Sequence, residues 1–270
     1  MKSFIESRFV KEVGDITNNM YRQGWDERNG GNISYLIDEQ FVREYFPKDE
    51  FIRDIKLGFV ADEIVRNKYF LVTGTGKYFK NVKDDPETNL GLVKISKDGN
   101  TAHLLWGYKD GGQFTSEFPA HLMSHAARLK VNPNNRVIMH THPTYTICMG
   151  ACLPVDEDIL TRKLWKSNTE AIVVFPEGVG ALPCMVCGTN EIGMATAEKM
   201  KDHRIVMWTN HGIYGAGNDI DETFGLIETV EKTAQIYMLT LGHVVNEISD
   251  EILKGLVKRF NLTIKPGIIK

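Results

Sequence analysis

Apolar residues near the start of the chain recur at the spacing of an α-helix. Four of them precede Gly24 at intervals of four, three and four residues: Phe9, Val13, Ile16 and Met20. This period predicts an amphipathic helix that a glycine terminates. Four short β-rich runs, separated by Gly, Asp and Pro turn signals, predict a mostly antiparallel sheet. They are Asn32–Leu36, Tyr69–Thr73, Leu90–Ser96 and His103–Trp106.

From residue 116 onward, helical and strand-like periods alternate. In chain order we predict helix Pro119–Lys130, strand Arg136–His142, helix Asp156–Trp165, strand Ala171–Phe175, helix Glu191–Met200 and strand Ile205–Trp208. Two further helices are expected to close the chain, Asp221–Leu241 and Ser249–Phe260. Alternation of this kind is typical of a layered domain of the α/β class.

The stretch Glu39–Asn67 mixes charged and aromatic residues without a clear period, so we interpret it as an elaborated insertion. Neither an internal repeat nor a Pro/Ser-rich linker marks a domain boundary. A chain of 270 residues lies near the size at which single hydrophobic cores stop growing, about 250–300 residues. Residues 1–270 are therefore expected to form one domain.

The charge balance argues against nucleic acid as a partner. The 32 Lys and Arg residues against 35 Asp and Glu leave a net charge of −3, whereas a nucleic-acid binder needs a strong basic footprint. The longest nearly apolar stretch, Ile147–Val155, is about half of a membrane-spanning helix. Charges near the N-terminus interrupt any signal-peptide pattern. We therefore expect a cytoplasmic protein that acts on a small molecule, without membrane association.

Three histidines lie at or beyond the ends of predicted strands. His140 and His142 end the strand that begins at Arg136, and His211 follows the strand Ile205–Trp208. Residues i and i+2 of a strand face the same side, so both imidazoles can reach one ion. A third histidine from a neighbouring strand end would complete a three-histidine set with open positions, as in catalytic zinc sites. Ordinary core and turn histidines are the alternative.

Glu117 stands just before a helix that Pro119 can open. Near a metal its carboxylate could serve as a fourth ligand or as a base, whereas a residue that only stabilises the helix dipole is the alternative. His121 and His125, four residues apart on that helix, form a rival metal pair. That pair would need two more ligands.

The four cysteines offer a weaker signal. Cys184 and Cys187 form a C-x-x-C, and Cys148 and Cys152 are four residues apart. Two tight pairs are the pattern of a Cys₄ zinc site. Free cysteine is more often a small core residue, and too few cysteines are present for a disulfide scaffold. We therefore interpret all four as buried thiols.

Three loops carry groups that hold anions. Gly74-Thr75-Gly76-Lys77 lacks the first glycine of a P-loop and does not complete a dinucleotide fingerprint. Together with Asn29-Gly30-Gly31-Asn32 and Thr115-Ser116, it nevertheless supplies backbone N–H groups and short polar side chains, which are typical phosphate ligands. Tight turns are the simpler interpretation of each loop alone. Beside a zinc site, the three loops favour an anionic substrate.

Six segments occur in a characteristic order: GWDERNGGN at 24–32, VTGTGK at 72–77, TSEFPAH at 115–121, VIMHTH at 137–142, VFPEGVG at 174–180 and DETFG at 221–225. As a set they resemble the zinc-dependent class II sugar-phosphate aldolases. The resemblance runs from about residue 8 to 260 and is weakest through 39–67 and the last ten residues. It implies a three-layer α/β/α fold with a central, mostly antiparallel sheet.

The resemblance also implies an activity, retro-aldol cleavage of a ketose 1-phosphate to dihydroxyacetone phosphate and an aldehyde. One Zn²⁺ per subunit would be held by His140, His142 and His211. Glu117 would act as the catalytic acid/base and occasional zinc ligand, and Glu170 would reach the active site of a neighbouring subunit in a fourfold-symmetric homotetramer.

The phosphate would be held by five residues: Asn29, Asn32, Thr75, Thr115 and Ser116. The family has serine at the position of Thr75, and the extra methyl group keeps a donor hydroxyl but could crowd the phosphate. Two other activities of the same fold share the three histidines, L-fuculose-1-phosphate aldolase and pentulose-phosphate 4-epimerase. A non-catalytic scaffold such as the head domain of adducin is a third alternative, although that domain lacks the full zinc triad.

Overall fold

A single large sheet organises residues 3–270, the part of the chain that the computed structural model describes. Within these residues the sheet has nine strands, in the spatial order β2-β5-β4-β3-β1-β6-β9-β8-β7. The strands are β1 Asn32–Ile37, β2 Arg53–Lys56, β3 Tyr69–Thr73, β4 Leu90–Ile95, β5 Thr101–Gly107, β6 Val137–Thr141, β7 Gly180–Leu182, β8 Ile205–Trp208 and β9 Gly212–Gly217. Neighbouring strands are antiparallel except β7 and β8.

Helices connect the strands and cover both faces of the sheet. Those of the described residues are α1 Arg8–Gln23, α2 Glu39–Val42, α3 Phe79–Val82, α4 Pro86–Asn89, α5 Phe118–Val131, α6 Thr144–Cys152, α7 Glu157–Ser167, α8 Thr169–Val174, α9 Asn190–Lys199, α10 Ile220–Thr240 and α11 Asp250–Phe260. Short 3₁₀ turns occupy Phe4–Glu6 and Glu63–Val65. Among residues 3–270, every helix is too short or too polar to cross a membrane.

Two successive residues of β6 show how the layers are built. Met139 packs in the cluster that contains α1 and α10, whereas Ile138 packs in the cluster that contains α5 and α9. Successive side chains of a strand point to opposite faces, so these two helix pairs lie on opposite sides of the sheet. The predicted α/β fold with helices on both sides of a mostly antiparallel sheet is confirmed.

The first predicted helix is present as α1. All four apolar residues of its stripe are buried. Ser7 caps its N-terminus by accepting a hydrogen bond from the backbone N–H of Val10, and Gly24 ends it at φ +74°. Glycine adopts this left-handed conformation without the penalty that a Cβ atom brings. The helix packs mainly on α3 and reaches β1 through the ring contact of Phe9 with Tyr35, and its end fixes where the loop at residues 24–32 begins.

The predicted strand Ala171–Phe175 is wrong, because this segment forms helix α8. Asn168 caps the helix by accepting from the backbone N–H of Glu170 at 3.0 Å. A short run of β-branched residues has no period that separates a buried strand from a buried helix. Packing against α7, α10 and α11 decides in favour of the helix. The strand of this region, β7, comes five residues later.

Residues 39–67 add to the edge of the sheet. β2 lies within this segment and pairs with β5, and Asp49 accepts hydrogen bonds from Arg43 and Lys94 at 2.7 Å each. These ion pairs fasten the segment to β4 far from the histidines. Two elements near the histidines were not predicted, α6 and the glycine-rich β9.

The prediction of buried cysteines is also wrong. All four are free thiols, of which Cys148 is partly buried and Cys152, Cys184 and Cys187 are exposed. Cys184 and Cys187 lie in the loop between β7 and α9. The pair is therefore not a core feature.

Candidate active site and metal centre

The structure brings the three predicted histidines together. His140 lies near the end of β6, His142 follows that strand, and His211 lies in the turn between β8 and β9. One ring nitrogen of each lies within 4.8 Å of those of the other two. Because β6 and β9 are adjacent and antiparallel, the turn into β9 returns to the end of β6.

Hydrogen bonds fix which nitrogens of two rings face the centre. His140 Nδ1 lies 3.0 Å from the carbonyl oxygen of Ile213, and His142 Nδ1 lies 2.9 Å from Oε1 of Glu27. Both partners are acceptors, so each Nδ1 carries a proton, and a ring that holds no second proton presents the lone pair of Nε2. The two Nε2 atoms are 3.2 Å apart. Two lone pairs that face each other need a cation, so the donor set fits a metal ion.

Burial favours the neutral form, which metal ligation requires, for His140 and His211. His140 is 1% exposed, and burial, reinforced by His142 and His211, holds its pKa well below the ordinary value. Burial likewise lowers the pKa of His211 to about 4. Three neutral nitrogen ligands are typical of zinc.

The loop at residues 24–32 closes over the end of β6. The carbonyl oxygen of Trp25 accepts from the backbone N–H of His142 and from the hydroxyl of Thr141, each at 2.7 Å. A Cβ atom on Gly30 would lie 2.8 Å from Nδ1 of His142. The absence of a side chain at Gly30 therefore allows the loop to touch the metal centre.

Glu117 lies next to the histidines at the start of α5. Its Oε2 accepts hydrogen bonds from Nδ2 of Asn32 at 2.8 Å and from the hydroxyl of Tyr214 at 3.2 Å, and lies 3.7 Å from Nε2 of His140. Glu117 is the residue before the first turn of α5, and its side chain makes no capping hydrogen bond to that helix. Burial raises the pKa of this carboxyl, opposed by the two hydrogen bonds.

Two of the predicted phosphate-binding segments run side by side. The backbone N–H of Thr75 donates to the carbonyl of Gln113, and that of Thr115 donates to the carbonyl of Thr73. The hydroxyl of Thr115 accepts from the N–H of Glu117 at 3.3 Å. Thr115 is buried, whereas Thr75 and Ser116 are exposed.

The asparagine pair spans the third segment. Asn32 is buried on β1 directly opposite His140 of β6, and Asn29 is exposed in the loop before it. Asn32 thus joins the predicted phosphate segments to the metal centre. All five predicted phosphate-binding residues lie either on the paired segments before Glu117 or in the segment 29–32 that contacts the end of β6.

Glu170 is placed elsewhere. It is exposed in the first turn of α8 and lines a cavity of about 510 Å³ together with Trp25, Tyr145 and Lys232. The lining residues do not include the three histidines. Within one chain, the structure therefore does not bring Glu170 to the metal centre.

Sequence reasoning missed Tyr214 and Glu27. Tyr214 is opposite His140 in the β6/β9 register and stacks on its ring with centroids 4.7 Å apart. Burial raises the pKa of Tyr214 well above its ordinary value, so its hydroxyl stays a donor to Glu117. A signal was present, because Tyr214 is the one large polar residue of a glycine-rich run.

Comparison with known proteins agrees with this architecture. Residues 11–238 match the family model described as Class II Aldolase and Adducin N-terminal domain. The match covers well over half of the chain, and the chain therefore belongs to this family. Curated relatives make it an aldolase rather than a scaffold of the family.

Within the family, several curated relatives that match this chain over nearly its full length are named rhamnulose-1-phosphate aldolase. The one from Listeria innocua is 53% identical over 99% of this chain and 98% of its own length. The one from Enterococcus faecalis is 49% identical over 98% and 96%. The crystal structure of a sugar-phosphate aldolase from Thermotoga maritima superposes with a TM-score of 0.76 at 30% identity, covering 88% of this chain and 96% of that one.

Proposed function

We propose that this protein cleaves L-rhamnulose 1-phosphate to dihydroxyacetone phosphate and L-lactaldehyde. The observation that carries the proposal is the geometry at the end of β6, where three histidines converge and Glu117 lies 3.7 Å from one of them. The choice of sugar follows the names of relatives that match it over nearly their full length.

His140, His142 and His211 would hold one Zn²⁺ per subunit. Their fit rests on the facing Nε2 lone pairs and on the protons that Ile213 and Glu27 keep on the opposite nitrogens. When bound, zinc supplies electrophilic stabilisation of the negative charge that bond cleavage leaves on the ketone fragment.

Cleavage breaks the bond between C3 and C4 of the ketose. The C4 hydroxyl loses its proton as the aldehyde forms, and C3 of the other fragment must gain one. We assign the proton transfer at C3 to Glu117, because a raised pKa suits a carboxyl that both accepts and donates. Tyr214 and Asn32 hold one carboxylate oxygen of Glu117 and so orient it.

The phosphate group would lie at Asn29, Asn32, Thr75, Thr115 and Ser116. Support comes from the adjacent backbone segments at residues 73–75 and 113–116, which bring Thr75, Thr115 and Ser116 to one edge of the sheet near Glu117. A phosphate there would place the reacting carbons of a ketose 1-phosphate toward the histidines.

We also propose a cytoplasmic homotetramer of single-domain subunits with active sites at subunit interfaces. Glu170 is exposed, and its cavity lacks the histidines of its own chain. A role in catalysis would therefore require that it approach the metal centre of another subunit.

Parallel assays of the purified protein test this function. Zinc analysis is expected to give one ion per subunit, and L-rhamnulose 1-phosphate to be cleaved faster than L-fuculose 1-phosphate, with a chelator abolishing both reactions. Preference for L-fuculose 1-phosphate would contradict the substrate assignment. Inversion at C4 of a pentulose phosphate without cleavage would instead identify an epimerase.

A further inference from the structure

A row of buried polar side chains extends behind Glu117 into the protein. Asn32 and Ser34 project from β1, and His121 and His125 project from α5. Positions i and i+2 of a strand share one face, as do positions i and i+4 of a helix. The two pairs therefore meet between the sheet and α5. All four residues are at most 6% exposed.

The contacts form an unbranched sequence. Asn32 Nδ2 lies 2.8 Å from Oε2 of Glu117, and Asn32 Oδ1 is hydrogen-bonded to Nε2 of His121. The hydroxyl of Ser34 lies 2.8 Å from Nδ1 of His121 and 2.8 Å from Nε2 of His125. Nδ1 of His125 is buried and has no hydrogen-bond partner.

The direction of every hydrogen bond in the row follows from Glu117. Its Oε2 also accepts from Tyr214, so this oxygen is an acceptor and the amide nitrogen of Asn32 must face it. The amide oxygen then accepts, so Nε2 of His121 must carry the proton.

The rest of the row follows in the same way. Burial holds the pKa of His121 well below its ordinary value, so its neutral ring accepts at Nδ1 from the hydroxyl of Ser34. That hydroxyl oxygen accepts in turn from Nε2–H of His125, whose pKa burial lowers to about 3. The unpartnered Nδ1 of His125 is thus the end of a fully ordered row.

This row does not conduct protons to Glu117. A relay needs groups that gain one proton while losing another, and a carboxamide such as Asn32 does not do so under ordinary conditions. What the row does fix is orientation. Without a donor at His121, the amide of Asn32 is free to rotate and place its oxygen against the carboxylate, where two acceptors repel.

We propose that His121 is a positioning residue for the reaction, which acts through Asn32 to hold Glu117 beside His140. This inference rests on the proposed function of Glu117. His121 is not one of the three histidines of the metal centre. Its hydrogen bond to Asn32 carries the proposed effect, and its ring also packs edge to face on Tyr214, with centroids 5.3 Å apart.

Substitutions of His121 test the role of its donor. Phenylalanine keeps the ring volume but removes both nitrogens, and His121→Phe is expected to lower kcat by about 10–100-fold, as second-layer substitutions do, with zinc content unchanged. Glutamine places an amide N–H near the position of Nε2, so His121→Gln is expected to recover most of the loss. His121→Asn is too short to reach Asn32 and is expected to stay impaired.

His203 offers a matched control. It is also a buried histidine with an unpartnered Nδ1, but it lies before β8 near Glu157. His203→Phe is expected to leave kcat unchanged. If it lowers kcat as much as His121→Phe does, the effect belongs to the loss of any buried histidine, and the inference is wrong.

A double-mutant cycle separates positioning from general structural support. If His121 acts through Asn32, the Asn32→Ala, His121→Phe double variant is expected to be no slower than Asn32→Ala alone. If the two losses multiply instead, the inference is wrong. Equal activities of His121→Gln and His121→Asn also overturn it, and this comparison can be made even if His121→Phe does not fold. An inactive wild-type protein would refute the proposed function instead.

Discussion

A Cβ atom on Gly212 would lie 2.4 Å from the carbonyl oxygen of Thr141. Thr141 stands between two of the histidines, and the same Cβ would lie 2.9 Å from Cδ2 of His142 and 3.2 Å from Cε1 of His140. The first residue of β9 is therefore packed directly against the histidines, at a distance that only glycine permits.

We predict that Gly212→Ala lowers bound zinc and activity together. The added methyl group must push β9 from β6, which costs about 1–3 kcal/mol of folding free energy for overpacking. Zinc analysis and thermal unfolding measure the two effects. Gly225→Ala on α10 is the control: nothing lies within 4 Å of its Cβ position, and alanine is the better helix former by about 1 kcal/mol. Full zinc content in Gly212→Ala would contradict the prediction.

His211→Ala is expected to lose tightly bound zinc and aldolase activity while the fold persists. His211 is one of three nitrogen donors and lies in a turn, so its loss removes a ligand without opening a cavity in the core. Elemental analysis and circular dichroism test the two halves of this statement. A stoichiometric zinc content in the variant would remove His211 from the ligand set.

Glu117→Ala is expected to keep zinc but to slow the exchange of the C3 proton of dihydroxyacetone phosphate with solvent. The three histidines are untouched, whereas the carboxylate held by Asn32 and Tyr214 is lost. Deuterium incorporation followed by NMR measures the exchange without the aldehyde. An unchanged exchange rate would transfer the proton-moving role to another group.

Part of the candidate metal site was predictable because it is local: His140 and His142 share a face of one strand, as the period of two requires. His211 was placed only at a strand end, because β9, whose pairing with β6 brings it to the other two, was not predicted. The polar row behind Glu117 was not predictable, although both of its halves have regular spacing. Whether Ser34 meets His121 depends on how α5 packs on β1, and these two elements are far apart in the chain. The helical state of α8 likewise depends on packing against α7, α10 and α11, which its local sequence does not contain.

Acid is expected to destabilise the fold through His125. Burial lowers its pKa to about 3 in the folded protein, against about 6.5 in an unfolded chain. Between these values the unfolded state binds the extra proton, so stability is fully present above about pH 6.5 and falls as pH decreases, by up to about 1.4 kcal/mol per pH unit. His121 acts in the same direction.

Urea unfolding between pH 7 and 5, with a chelator present to remove metal effects, tests this dependence. His125→Gln retains an N–H for Ser34 but does not titrate, so its stability should fall less steeply with acid than that of the wild type. Equal slopes for the two proteins would show that His125 does not contribute.

Two chains with complementary lesions test the proposed role of Glu170. One carries Glu170→Ala and keeps Glu117, and the other carries Glu117→Ala and keeps Glu170. Each alone is expected to be nearly inactive. If Glu170 serves a neighbouring subunit, a mixed oligomer contains interfaces where an intact Glu117 meets an intact Glu170, about a quarter of all sites for random mixing in a cyclic assembly. Co-refolded mixtures should therefore regain activity in that proportion.

The structure motivates this experiment, because Glu170 is exposed on α8 while the histidines of its own chain lie outside its cavity. Glu191→Ala, an exposed acidic residue in the first turn of α9, serves as the matched control and should retain activity alone. Native gels establish that mixed oligomers formed. If they did form and the mixture is no more active than either variant, Glu170 does not complete a neighbour's site, and its carboxylate acts within its own chain or has no part in the reaction.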